Sequence, residues 1–267
     1  MRKAVLACVL LACGGAGAAA QLSFEVASIR PSARTQPAPL PSSPDQLVRA
    51  GFTLQQLVQY AFDRSEFNVA GGPDWVSSAR FDVTAKAEHA VTLTEMRSMT
   101  RRLLEDRFAL KTHNEMRELD VYAIVLARKD GATGPQLKRA SFDCTPFMTG
   151  ARPMSESPLN ERGTALCLSM AVIAADDGMA VTFRGSPIEP LARRLQGIVR
   201  RPVIDRTGLS GIYDIELKFT VDGAAVHREG YPALMTAMDE QLGLKLESRK
   251  EPVEVLVIDE AQPPTPN

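Results

Sequence analysis

The sequence predicts an α+β protein built from two pseudo-symmetric β-α-β-β-α-β-β repeats, with mainly antiparallel sheets and helices on one face. Two observations predict it. The second half of the chain restates the first at an offset of about 134 residues. Leu54, Leu57, Val58 and Ala61 recur as Ile188, Leu191, Ala192 and Leu195, the i, i+3, i+4, i+7 stripe of a helix buried on one side. Alternating runs recur as well: Phe81-Asp82-Val83 with Lys86 becomes Tyr213-Asp214-Ile215 with Lys218. Leu110-Lys111 becomes Leu244-Lys245, and Leu119-Asp120-Val121 with Ile124 becomes Val253-Glu254-Val255 with Ile258. Such a duplication predicts two similar halves about a pseudo-twofold axis, with a shared groove or sheet between them.

The elements follow in order. Residues 1–20 read as an export signal: Arg2-Lys3, an apolar run from Ala4 to Ala12, then Ala18-Ala19-Ala20 before Gln21. Leu10-Leu11-Ala12-Cys13 also resembles a lipoprotein box, which would make Cys13 a lipidation site, so secretion and lipid anchoring both stay open. The first repeat occupies 21–128. Phe24 to Arg30 alternates as a strand closed by Pro31, and Pro37 to Pro44 is a loop. Thr53 with Gln56 has capping-box spacing and opens a helix; Ser186 with Glu189, and Pro187 at the first helical position, are its counterpart. A short strand at Phe67-Asn68-Val69 leads to the Gly71-Gly72-Pro73 turn, matched by Pro202-Val203-Ile204 and Thr207-Gly208. Strands at Arg80–Ala87 and Gly211–Phe219 come next. Second helices carry Leu93, Met96, Leu103 and Leu104, and Leu234, Met238 and Leu242. Each repeat closes with two strands, Leu110–Asn114 with Leu119–Leu126 and Leu244–Ser248 with Val253–Ile258. Between them, 129–179 reads as an irregular insertion, 180–261 is the second repeat, and the Pro-rich 262–267 is a disordered tail.

Cys8 and Cys13 fall in the signal, which leaves Cys144 and Cys167 as one pair with one connectivity in an oxidising compartment. No CxxC spacing and no neighbouring histidine suggests a redox or metal role. The net charge of −1, with acids and bases interspersed, excludes the basic footprint of a nucleic-acid binder. The apolar stretch at the N-terminus falls well short of the ~20 residues of a membrane span, so no transmembrane helix is expected in the exported chain.

The residues that carry chemistry are sparse. His89, His113 and His227 lack the i, i+4 partner of a zinc helix, and no acidic cluster has calcium-loop spacing, so neither a metal nor a cofactor is expected. Gly-x-Ser-x-Gly and Ser-x-x-Lys nucleophile motifs do not occur; Gly185-Ser186-Pro187 places the serine at a helix cap. Gly71-Gly72 and Gly208 lie between strands rather than before a helix, which makes them turn residues and not phosphate cradles. No catalytic residue is assigned. The remaining binding candidates are the repeated charges Asp82, Lys86, Asp214 and Lys218, read either as register-setting cross-strand pairs or as a ligand-binding pair at the pseudo-twofold. Trp75 joins them, either as an anchor covering a sheet edge or as an exposed recognition aromatic.

Several longer motifs resemble a known family. They are Phe24-Glu25-Val26-Ala27-Ser28-Ile29-Arg30-Pro31, Gly72-Pro73-Asp74-Trp75 with Arg80-Phe81-Asp82-Val83, Leu103-Leu104-Glu105-Asp106-Arg107-Phe108, Arg201-Pro202-Val203-Ile204-Asp205-Arg206-Thr207-Gly208-Leu209 and Gln241-Leu242-Gly243-Leu244-Lys245-Leu246-Glu247-Ser248. Together, from Phe24 to about Ala261, they resemble the soil-associated domain-of-unknown-function family, exported proteins heavily expanded by paralogy in soil bacteria. The resemblance implies no activity. Related domains are attached to antirepressor-type metallopeptidases, which implies extracytoplasmic sensing; this chain has no His-Glu-x-x-His motif and would supply only the sensor or partner half. The repeating unit is also loosely similar to the periplasmic interaction modules of secretins and TonB-dependent receptors.

The expectation is therefore a periplasmic or secreted binding, interaction or sensor module whose partner is an envelope protein or a small ligand. An envelope or extracellular hydrolase and a secretin-like accessory module are the alternatives.

Overall fold

The computed structural model describes residues 22–38, 43–149, 151–161, 163–175, 178–220 and 231–264. The expected export signal with Cys8 and Cys13, His227, and 265–267 of the expected tail lie outside them. The protein mixes helices with antiparallel-rich sheets. It comprises two compact units that are not contiguous in sequence. Among the described residues, one gathers those up to Arg64 with Gly71–Thr112 and those from Ile258 onward; the other gathers Ser65–Ala70 and those between His113 and Val257.

In the first unit, β4 (Arg80–Lys86) is the centre of a three-stranded sheet between β1 (Val26–Pro31) and β2 (Gln46–Thr53), antiparallel to both. Its alternation is expressed directly: Phe81, Val83 and Ala85 are buried. Helix α1 (Leu54–Phe62) follows β2 without a loop, because Thr53 ends the strand and caps the helix. Its hydroxyl accepts from the Gln56 N–H, and Gln56 accepts from the Thr53 N–H, the expected capping box. Leu54, Leu57, Val58 and Ala61 are fully buried, and α1 packs on α3 (Leu93–Phe108). Thr92 and Glu95 form a second capping box at the start of α3. Trp75 opens a four-residue helix, α2 (Trp75–Ser78), where a turn was expected. Its ring stacks on Phe108 at 6.4 Å and meets Phe81 edge-on at 6.3 Å.

In the second unit, β10 (Tyr213–Phe219) lies between β6 (Leu137–Arg139) and β8 (Gly178–Ser186), and β7 (Ser169–Ala175) pairs with the far side of β8. One face of β10, carrying Tyr213, Ile215, Leu217 and Phe219, is buried beneath α5 (Glu189–Val199) and α6 (Leu234–Ala237). Helix α6 continues as a π turn over Met238–Leu242. The other face carries Asp214, Glu216 and Lys218. A further sheet runs in the order β3-β11-β5-β9. Here β3 is Val69–Gly71, β5 Lys111–Leu126, β9 Val203–Asp205 and β11 Leu244–Glu260; β9 runs parallel to β5.

Three expectations are corrected. Each repeat was expected to close with two strands, yet β5 and β11 are each one long strand. They pair with one another, as the Ala127 N–H to Gly243 carbonyl bond (2.9 Å) beside their inner ends shows, so neither needs to fold back to satisfy its backbone. Ser186 was expected to cap α5, but it still pairs with Tyr213 at the end of β8. The helix starts at Glu189 with no side-chain cap, and Pro190, not Pro187, sits in its first turn. The stretch 129–179 was expected to be irregular, yet it supplies β6 and β7, both edge strands of the β10 sheet. Edge strands are wetted on several sides, so their sequence need not alternate.

Thr53→Ala lowers unfolding free energy by about 1 kcal/mol through loss of the cap, read from the urea midpoint. Leu57→Asp and Leu191→Asp, at positions no more than 1% exposed, each prevent folding of their own unit by burying an unpaired charge. Unchanged melting of either variant would overturn the packing described.

Candidate functional site

Helix α5 carries two stripes. Leu191, Ala192 and Leu195 face the core. Pro190, Arg193, Arg194 and Gly197, spaced i, i+3, i+4, i+7, line an open groove with Leu168, Ser169, Met170, Phe183 and Ser186. Its volume is about 400 Å³, and its surface is chiefly apolar. The floor is set by strand register. Met170 lies opposite Phe183 and Val172 opposite Val181, and antiparallel partners share a face. Since Val181 and Phe183 are packed with α5, Met170 and Val172 lie on that side too.

Two groups in this wall are unusual. Leu168 takes a left-handed backbone conformation, φ +49°, costly for a branched residue, and its N–H donates to the Gly185 carbonyl at 3.2 Å. Arg194 donates from Nη2 to Met179 Sδ at 3.5 Å, while its buried Nε has no hydrogen-bond partner among the described residues. Arg193 is exposed and bonded to Glu189 at 2.8 Å. A smaller cavity in the first unit, about 330 Å³, is lined by Gln46, Arg49, Tyr60 and Met96, with Arg49 4.2 Å above the Tyr60 ring. Another in the second unit, about 310 Å³, is lined by Tyr122, Ile198, Phe219 and Leu234.

The repeated charges do not meet one another as acid–base pairs. Asp82 accepts from the Gly51 N–H at 2.8 Å, and Asp214 accepts from the Gly185 N–H at 2.9 Å. Each glycine has positive φ, +72° and +55°, and each lies where the strand register shifts. These are β-bulges held by a carboxylate from the neighbouring strand. Each aspartate also has an arginine 3.9 Å away, Arg34 and Arg184 respectively. Lys86 is exposed at the end of β4, opposite Val26 and Gln46. Lys218 binds Glu216 at 2.7 Å, and that carboxylate holds its ammonium above the ordinary lysine range. Trp75 belongs to the ring cluster with Phe81 and Phe108. His113 is exposed on β5, 3.6 Å from Glu115. Among the described residues, no group of three or more acids, histidines or cysteines is arranged to hold a metal, and no helix is long and apolar enough to cross a membrane. The groove residues were missed because the second stripe of α5 mixes Pro, Arg and Gly, a pattern indistinguishable from a solvated helix face.

The disulfide supports the groove from behind. Cys144 and Cys167 are bridged with Cα atoms 5.4 Å apart, both fully buried against Phe147. A Cβ on Gly185 would collide with Cys144 Sγ and the Leu166 carbonyl oxygen, so this glycine is required for packing as well as for its φ. Replacing both cysteines by serine lowers stability by about 3 kcal/mol through the chain entropy of the opened loop, measured by urea unfolding. Thiol labelling of both in the folded protein would overturn the bridge.

Comparison with curated proteins and with solved structures found no match. The sequence pattern of one family matches residues 55–261, from α1 to the end of β11, which is more than half of the chain. The protein therefore belongs to the DUF3738 family, described as proteins of unknown function.

Proposed function

We propose that the protein is an exported, non-enzymatic binding module that holds an elongated apolar ligand with an anionic end in the groove between α5 and β7. One observation carries this reading: an open apolar groove whose helical wall presents Arg193 and Arg194, the latter with a buried guanidinium nitrogen that has no partner among the described residues. An anionic group supplies the missing acceptor, and a charge-assisted bond in an apolar setting is among the stronger polar contacts. Among the described residues, the groove's lining contains neither carboxylate nor imidazole, which suits retention better than acid–base chemistry. Export is supported by the signal-like N-terminus and by the buried disulfide, a bond of oxidising compartments; release and anchoring at Cys13 are both compatible with it. The two glycine–aspartate bulges support descent of residues 21–128 and 180–261 from one duplicated unit, with 129–179 as the insertion that builds the groove.

Gly197 provides the test. Among the described residues, a Cβ at this position meets no atom of another part of the chain within 4 Å, so a larger side chain enters the groove without disturbing the core. Anilinonaphthalene sulfonate, an apolar anion, binds the folded protein saturably. Gly197→Leu weakens it at least tenfold with unchanged or raised thermal stability, and Arg194→Gln weakens it severalfold. Equal binding to wild type and Gly197→Leu would overturn the assignment.

A further inference from the structure

We infer that β7 is the self-pairing edge of a two-fold homodimer, independently of what the groove binds. The two edges of the β6-β10-β8-β7 sheet are treated differently by the sequence. β6 is three residues long and two of them are Lys138 and Arg139, the short, charged edge by which proteins block further pairing. β7 is seven residues, Ser169-Met170-Ala171-Val172-Ile173-Ala174-Ala175, with no charge, proline or glycine. Met170 is 57% and Ile173 69% exposed. Among the described residues, no strand pairs with its outer side. An uncharged edge strand with large apolar side chains in water is a template for another strand.

The sequence of β7 selects a second copy of itself. Set antiparallel about Val172, the two largest side chains each meet an alanine, Met170 facing Ala174 of the second copy and Ile173 its Ala171, while Val172 faces Val172 on the axis. A parallel in-register pair would instead stack methionine on methionine and isoleucine on isoleucine. The antiparallel arrangement has the symmetry of an isologous contact, so it closes. It joins two four-stranded sheets into one whose outer edges are both β6, and Lys138 and Arg139 then stop growth. Because Met170 lies on the groove side, the second copy extends the floor of each groove.

Sedimentation velocity of the disulfide-bonded protein across a concentration range tests this. The wild type is expected to be a dimer. Ile173→Lys, at a site 69% exposed, weakens association at least tenfold while the circular dichroism spectrum keeps its shape. Val172→Cys cross-links across the two-fold on mild oxidation, since directly opposed residues lie within disulfide reach. Ile173→Cys does not, because its symmetry mate sits two positions along, about 7 Å away or more. A wild type that stays monomeric throughout, or a dimer that is unaffected by Ile173→Lys and gives no Val172→Cys cross-link, overturns the inference. Equal cross-linking from both cysteine variants overturns the register.

Discussion

The hydrogen bond from the Gly185 N–H to the Asp214 carboxylate is the contact on which the candidate site depends. It fixes a β-bulge where β8 would otherwise pair regularly with β10, and a bulge bends the strand that carries it. Three residues later the chain is in helical conformation, and α5 begins. The carbonyl of the same glycine accepts from Leu168, the residue whose left-handed turn starts β7, and its missing Cβ leaves room for the disulfide sulfur. One residue thus ties together the strand end, the helix start, the bridge and the groove wall. A bond to a charged acceptor is worth about 1.5–3 kcal/mol, but its geometric effect is the larger one. The Gly51–Asp82 bond is the same device in the first unit, where it leads into α1 through a proper cap.

Helix α5 supplies the core with one stripe and the groove with the next. Its core stripe consists of Leu191, Ala192 and Leu195. The adjacent stripe is poor for helix stability by ordinary measures: it has a glycine in the interior and an arginine that is partly desolvated. An interior glycine costs roughly 0.5–1 kcal/mol against alanine. No neighbouring atom requires it, whereas Gly185 and Gly243 are forced by close backbone approach. The cost is intelligible if Gly197 keeps the groove open. β7 makes the matching statement on the opposite wall, since its apolar surface is exposed where a solvated edge would carry charge.

Much of the architecture was legible in the sequence because it rests on local rules. The stripe Leu54, Leu57, Val58, Ala61 and the Thr53–Gln56 cap locate α1 from within a dozen residues, and the alternation of Tyr213 to Phe219 locates β10. The bridged cysteines follow from their number. The failures are where an element's conformation depends on a partner distant in sequence. Nothing local distinguishes a hairpin from the long strands β5 and β11, which stay extended because each satisfies the other's backbone groups. Ser186 has the chemistry of a cap, but pairing with Tyr213 keeps it in the sheet.

The sequence by itself determined the mixed helix-and-sheet class, the one possible pairing of Cys144 with Cys167 and membership of a family through motifs from α1 to β11. Only the tertiary structure decided what those elements build together. It turned Asp82 and Asp214 from candidate ligand charges into supports for bulges, set Trp75 among rings, and made a groove from Leu168, Met170, Phe183 and the second stripe of α5. The physical reason is that periodicity records which side chains leave water, whereas a groove is formed by side chains that do not. Their common position arises only when strand register and helix placement bring together residues from 168 to 197 that share no local pattern.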